Sequence, residues 1–152
     1  MCIEVAAKHE SLDSIGHSTA NSVREDLGIQ NVSKIRYTEA YYIEGLSKNE
    51  AKPIAEKVFL GPIAQTYSIN KNAYPEFCFL IEVKFHPDVT DNLAIVTKEA
   101  IEDFLGKKLD GKITTSRKYY IYGNVSREAA EKIASGLLAN GIIETYKIEG
   151  KP

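Results

Sequence analysis

The chain has 152 residues, 43% hydrophobic and 26% charged, with a net charge of −2 and a pI near 6.0, a composition that excludes a disordered or collagen-like polymer and fits a globular protein. Near-neutral charge gives no overall electrostatic reason to expect nucleic acid or an anionic membrane as a partner. Met1-Cys2-Ile3-Glu4 places an acid where a secretory apolar run would begin, and no stretch approaches the roughly 18 apolar residues of a membrane helix, so a cytoplasmic location is expected.

In chain order, residues 3–8 alternate apolar and polar side chains in part and predict a first strand. A helix follows, with Ile15, Ala20, Val23 and Leu27 at three- and four-residue spacing as its apolar stripe and Gly28 just past its end as a left-handed stop. Residues 32–38 and 40–44 predict two extended pieces with a break between them, ended by Gly45. Ser47 and Glu50 have the spacing of a capping box, opening a second helix that buries Ala51, Ile54, Ala55 and Val58. Gly61-Pro62 stops it before a last strand at 63–69.

The same series then recurs. Under an offset of 78, Ile3-Glu4-Val5 falls on Ile81-Glu82-Val83, Asp13 on Asp91, Leu27-Gly28 on Leu105-Gly106 and Tyr41-Tyr42-Ile43 on Tyr119-Tyr120-Ile121. The offset then becomes 79, with Ile54-Ala55 on Ile133-Ala134 and Thr66-Tyr67 on Thr145-Tyr146. A constant offset along both halves marks an internal duplication. The second half predicts strands at 79–85, 112–116, 118–122 and 142–148, a first helix buried through Leu93, Ala100, Ile101, Phe104 and Leu105, and a second helix capped by Ser126 and buried through Ala130, Ile133, Ala134 and Leu137.

Each half therefore predicts βαββαβ, a ferredoxin-like unit, and the fold class is α+β: two tandem units forming an intramolecular pseudo-dimer of antiparallel sheets with helices on one face. The expected boundaries are 1–70 for the first domain, 71–77 for a linker and 78–152 for the second domain. Packing of two bare sheets on each other, or their extension edge to edge, would bury what each half leaves exposed.

No nucleotide-binding glycine loop, nucleophile elbow or H-E-x-x-H occurs. His9, His17 and His86 share no ligand spacing, and Cys2 and Cys78 stand far apart, so no catalytic residue, metal or cofactor is expected. Asp88 or Asp91 suits the start of a helix. Lys107, Lys108, Lys112, Arg117 and Lys118 form a basic stretch read first as a solvated loop entering a lysine-protected edge strand and second as an anion site. Each tyrosine pair is expected to place one ring in the core and one on the exposed face. No carboxylate stands out as sitting in an apolar setting.

The closing run Leu138-Ala139-Asn140-Gly141-Ile142-Ile143-Glu144-Thr145-Tyr146-Lys147-Ile148 resembles the end of the PurS family, and residues 60–69 are a weaker copy. Leu12-Asp13-Ser14-Ile15-Gly16 resembles the aspartate and glycine that open that family's first helix; in the second half, Asp91-Asn92-Leu93-Ala94 lacks the glycine. The family's glycine-lysine pair before its third strand corresponds to Arg117-Lys118, and to Glu39-Ala40 in the first half. The resemblance implies a non-catalytic small subunit of phosphoribosylformylglycinamidine synthase (formylglycinamide ribonucleotide amidotransferase) in purine biosynthesis. Its partners would be a large synthetase subunit (PurL-like) and a glutaminase subunit (PurQ-like). The chain would act as a monomeric pseudo-dimer or pair further, with Asp13, Asp91, Arg117 and Lys118 as candidate partner or anion contacts. The alternative is a paired ACT-like regulatory module that binds a small amino acid, for which only Gly16 supplies the expected first-loop glycine.

Overall fold

The computed structural model describes residues 1–61 and 65–151. Six strands and four helices follow in the order β1 (Cys2–Ala7), α1 (Ser14–Asp26), β2 (Val32–Ile43), α2 (Lys48–Ile54), β3 (Gln65–Ile69), β4 (Phe79–Phe85), α3 (Asn92–Leu105), β5 (Ile113–Gly123), α4 (Arg127–Ile133) and β6 (Glu144–Gly150). The strands make one antiparallel sheet in the order β3-β1-β2-β5-β4-β6. The fold is thus α+β, and the halves extend one sheet edge to edge.

The two extended pieces expected in each half are single strands. β2 runs unbroken through Thr38-Glu39-Ala40, and β5 through Ser116-Arg117-Lys118. Glu39 and Arg117 interrupt the apolar alternation of their strands, which reads as a break in sequence. They sit directly opposite each other in the β2–β5 ladder and correspond under the 78-residue offset, so they mark its midpoint. β5 is an interior strand flanked by β2 and β4; its one lysine, Lys118, is buried and does not guard an edge.

Odd-numbered residues of β1, β3, β4 and β5, and of β2 beyond its irregularity at Val32–Lys34, face the helices; in β6 the even-numbered Tyr146 and Ile148 do so, because they lie opposite Val83 and Ile81. One apolar cluster joins Ala20 and Val23 of α1 to Ile81, Val83, Tyr119 and Ile121 of β4 and β5 and to Ile133 of α4. The other joins Ile3, Val5, Tyr41 and Ile43 of β1 and β2 to Ile54 of α2 and Ala94 and Ile101 of α3. Each cluster draws on both halves. Burying an aliphatic side chain of this size contributes roughly 1.5–3 kcal/mol, so the first helix of each half rests on its own central strand and gains further burial from strands of the other.

Ser47 caps α2 with a complete capping box through Glu50, and the Ser126 side chain accepts from the Ala129 N–H at 3.1 Å. α2 and α4 pass into wider π-type turns, Ala55–Phe59 and Ala134–Leu138, at corresponding positions. The apolar stripes expected of the first helices are observed in part: Ala20, Val23 and Ile101 are buried, and Leu27 and Leu105 pack partly buried beside them. Ile15 is 47% exposed, Leu93 43% and Phe104 46%, and Ala100 is exposed too. The buried line of α3 is Ala94, Thr97 and Ile101. α3 is apolar on several sides, so periodicity alone does not choose among them, and Thr97 hides the true stripe. Of the expected strand at 63–69, Gln65–Ile69 is observed and Ile63 lies outside the described residues, as does Pro62. The last strand begins at Glu144 rather than Ile142, which is 87% exposed.

Candidate functional site

The opposite set of strand residues, even-numbered in β1, β4, β5 and most of β2, points to the face without helices, and the 71–77 segment lies against part of it. Phe77 and Tyr74 pack edge-on against Tyr120 with ring centroids 5.6 and 5.2 Å apart. Beneath them is a polar cluster built twice. Glu4, fully buried, accepts from the Thr38 hydroxyl at 2.8 Å, from the Tyr120 hydroxyl, from Lys118 Nζ at 3.0 Å and from the Ala73 N–H at 3.3 Å. Its counterpart Glu82 accepts from the Ser116 hydroxyl at 2.5 Å and from the Tyr42 hydroxyl. Each carboxylate thus takes a hydroxyl from its own half and a tyrosine from the other. The symmetry breaks at one position: Lys118 stands where the first half has Ala40. Among the described residues no buried side-chain polar atom lacks a partner.

Burial disfavours the charged form of Lys118, but Glu4, and then Glu82, outweigh it and raise its pKa. Burial and then Glu4 drive the Tyr120 pKa far up, and burial followed by the hydrogen bond to Glu82 does the same for Tyr42. Both phenols stay neutral donors, and each carboxylate is surrounded by donors. The arrangement can fix the β2–β5 seam and orient side chains; it offers no free acid, base or nucleophile.

On the helix face, the midpoint of β2–β5 carries a second arrangement. Arg117 donates to Glu144 Oε2 at 2.6 Å, to the Tyr119 hydroxyl at 3.0 Å and to the Leu138 carbonyl at 3.2 Å. Opposite it, Glu39 accepts from the Tyr41 hydroxyl at 3.2 Å. Two clefts flank this point. One, of about 450 Å³, is lined by Leu12, Ile15, Tyr37, Glu39 and Gln65; the other, of about 240 Å³, by Phe85, Leu93, Thr115, Arg117 and Glu144.

The four residues singled out from sequence do not converge. Arg117 and Lys118 are neighbours on one strand, so pleating sends them to opposite faces. Asp13 and Asp91 are helix caps tied to the central strands. Asp13 accepts from the Gly16 N–H at 2.8 Å, the Tyr37 N–H at 2.9 Å and Arg36 Nε at 2.9 Å. Asp91 accepts from the Ala94 N–H at 3.0 Å and from the Thr115 N–H and hydroxyl at 2.9 and 2.8 Å. Sequence reasoning missed Glu4 and Glu82. The signal was there, since both stand between apolar residues in the repeated Ile-Glu-Val. The first tyrosine pair follows expectation, with Tyr41 in the core and Tyr42 half-buried on the other face, whereas in the second Tyr120 is 0% exposed: the 71–77 segment covers the face on which it sits.

Compared with known protein families and with curated proteins, the chain matches none. Among the described residues no helix is long and apolar enough to cross a membrane, and no group of three or more His, Cys, Asp or Glu side chains is placed to hold a metal ion.

Proposed function

We propose that this chain is a fused pair of PurS-like, ferredoxin-related units. It would serve as the small, non-catalytic subunit of formylglycinamide ribonucleotide amidotransferase, bridging a synthetase (PurL-like) and a glutaminase (PurQ-like) subunit in the cytoplasm. The observation that carries this reading is the β2–β5 seam. The halves meet there about a midpoint, Glu39 opposite Arg117, that relates corresponding residues as a twofold axis would relate two subunits. The closing run that resembles the family supports it, and so does a polar cluster whose groups are all engaged in holding the seam. A bridging subunit needs complementary surfaces on a rigid frame.

The test is a pull-down of the tagged chain with the synthetase and glutaminase subunits of its own organism, with and without glutamine and Mg-ADP, followed by assay of glutamine-dependent turnover. A ternary complex and a gain in turnover are expected; failure to assemble under every condition overturns the reading. One observation favours the ACT-like alternative: the two clefts beside the turns that open α1 and α3. Saturable binding of an amino acid there, without assembly, would replace the subunit reading.

A further inference from the structure

A third cleft lies in the second half, and its origin is readable residue by residue. β4 and β5 stop pairing at Val83–Arg117, whereas β1 and β2 continue to Ala6–Thr38, one position further in corresponding terms. In the first half the space beyond is filled. Arg36 crosses it, donating to Asp13, to the Ala7 carbonyl at 3.3 Å and to the Tyr74 hydroxyl at 2.7 Å. α1 also lies so close to β2 that a Cβ at Gly16 would stand 2.3 Å from the Ile35 carbonyl. In the second half Thr114 replaces Arg36, and Ala94 replaces Gly16. The side chain of Ala94 keeps α3 off β5, and the short Thr114 does not cross the space that Arg36 fills in the first half.

What remains is a cavity of about 470 Å³, within the usual range for small-molecule sites, roughly 300–1,000 Å³. Phe85, Val89 and Ile95 supply apolar wall, and Lys84, Lys98 and Lys112 supply positive charge. Among the described residues none of these three lysines is ion-paired with a carboxylate. Lys98 Nζ donates to the Gly111 carbonyl at 3.1 Å, and Lys84 Nζ lies 4.2 Å from the centre of the Tyr42 ring. The one acid in the lining, Asp91, has both oxygens occupied by Ala94 and Thr115. In the first half the lysine corresponding to Lys112 is Lys34, and Glu10 takes it at 3.4 Å.

We propose that this cavity is a binding site for a small organic anion, a phosphate monoester or carboxylate, with its charged end against Lys98 and Lys112 and its apolar body against Phe85, Val89 and Ile95. An apolar wall beside ammonium groups that no carboxylate neutralises favours a ligand carrying both features over inorganic phosphate or a neutral compound.

Calorimetric titration of the intact chain with phenyl phosphate, benzoate, inorganic phosphate and phenol tests this without any partner subunit. Saturable binding of phenyl phosphate or benzoate, tighter than that of inorganic phosphate or phenol, is expected. Lys98→Gln and Lys112→Gln should each weaken it about tenfold, the loss of one charge-assisted hydrogen bond, while Lys34→Gln leaves it unchanged. Thr114→Arg, which gives the second half the arginine that fills the first, should abolish binding even though it adds a positive charge. No saturable binding of either organic anion overturns the proposal, as does tighter binding by Thr114→Arg, which would mean general charge attraction.

Discussion

Raising the pH should unfold this protein through its buried tyrosines. Burial raises the pKa of Tyr37, Tyr41, Tyr42, Tyr74 and Tyr120. Glu39 adds to it at Tyr37 and Tyr41, Glu82 at Tyr42 and Glu4 at Tyr120. Tyr74, partly relieved by Arg36, is pushed up to about 12, and the other four stand further up. In the unfolded chain each titrates near 10. The folded state holds all five neutral, so their contribution is intact below about pH 10. It is lost above that value, as the unfolded chain gains tyrosinate and the folded protein does not. At about pH 11 the loss is about 1.4 kcal/mol per tyrosine, or about 7 kcal/mol for five, comparable to the roughly 5–15 kcal/mol total stability of a domain. Lys118 acts in the same direction, since its raised pKa stabilises the fold only while it stays protonated. Far-ultraviolet ellipticity and tyrosinate absorbance followed together should show one steep, coincident transition near pH 11. Gradual ionisation of most tyrosines near pH 10 with the ellipticity intact would refute the reasoning.

Lys118→Met leaves Glu4 buried without its cation and should cost about 3–5 kcal/mol in urea unfolding; adding Glu4→Gln should recover much of that, and strict additivity of the two losses would contradict the pairing. Gly123 has φ +132° and faces the irregularity between Val32 and Lys34, with its ideal Cβ 2.1 Å from the Asn31 carbonyl. Gly123→Ala should therefore cost about 1–3 kcal/mol, and a change within about 0.5 kcal/mol, the range of an ordinary surface substitution, would contradict that. Residues 1–72 expressed alone lack the β5 partner of β2 and the Ile133 contact of α1, so no stable monomer is expected by sedimentation and circular dichroism. A folded monomer would show that the shared clusters are dispensable.

Much of the fold was legible because local signals and global packing agree. The Ser47 and Ser126 caps, the left-handed Gly28 and Gly106, and the buried alanine-isoleucine faces of α2 and α4 are short-range features, and the sequence carries them directly. The continuity of β2 and β5 was not legible. A charged residue in mid-strand reads as an interruption unless it is known to lie opposite its own counterpart, and that pairing joins residues 78 apart. The buried line of α3 was hidden for a related reason, since the helix packs where strands of both halves meet and leaves Leu93, Val96 and Phe104 outside.

The candidate sites divide along the same line. Positions at which the halves agree, such as Asp13 with Asp91 and Glu4 with Glu82, have the same structural duty in both: capping the first helix, or holding the seam through a hydroxyl and the other half's tyrosine. Positions at which they differ carry the chemistry that duplication alone does not explain. Lys118 for Ala40 puts a buried ammonium on one carboxylate only, Arg117 for Glu39 sets opposite charges across the midpoint, and Thr114 with Ala94 for Arg36 with Gly16 opens a basic cavity on one side. A twofold-symmetric pair of separate subunits would present every surface twice. The differences between the two halves leave the space beside β2 crossed by Arg36 and its lysine held by Glu10, while the corresponding space beside β5 stays open and lysine-lined, so the two halves differ in charge and shape just where their positions correspond.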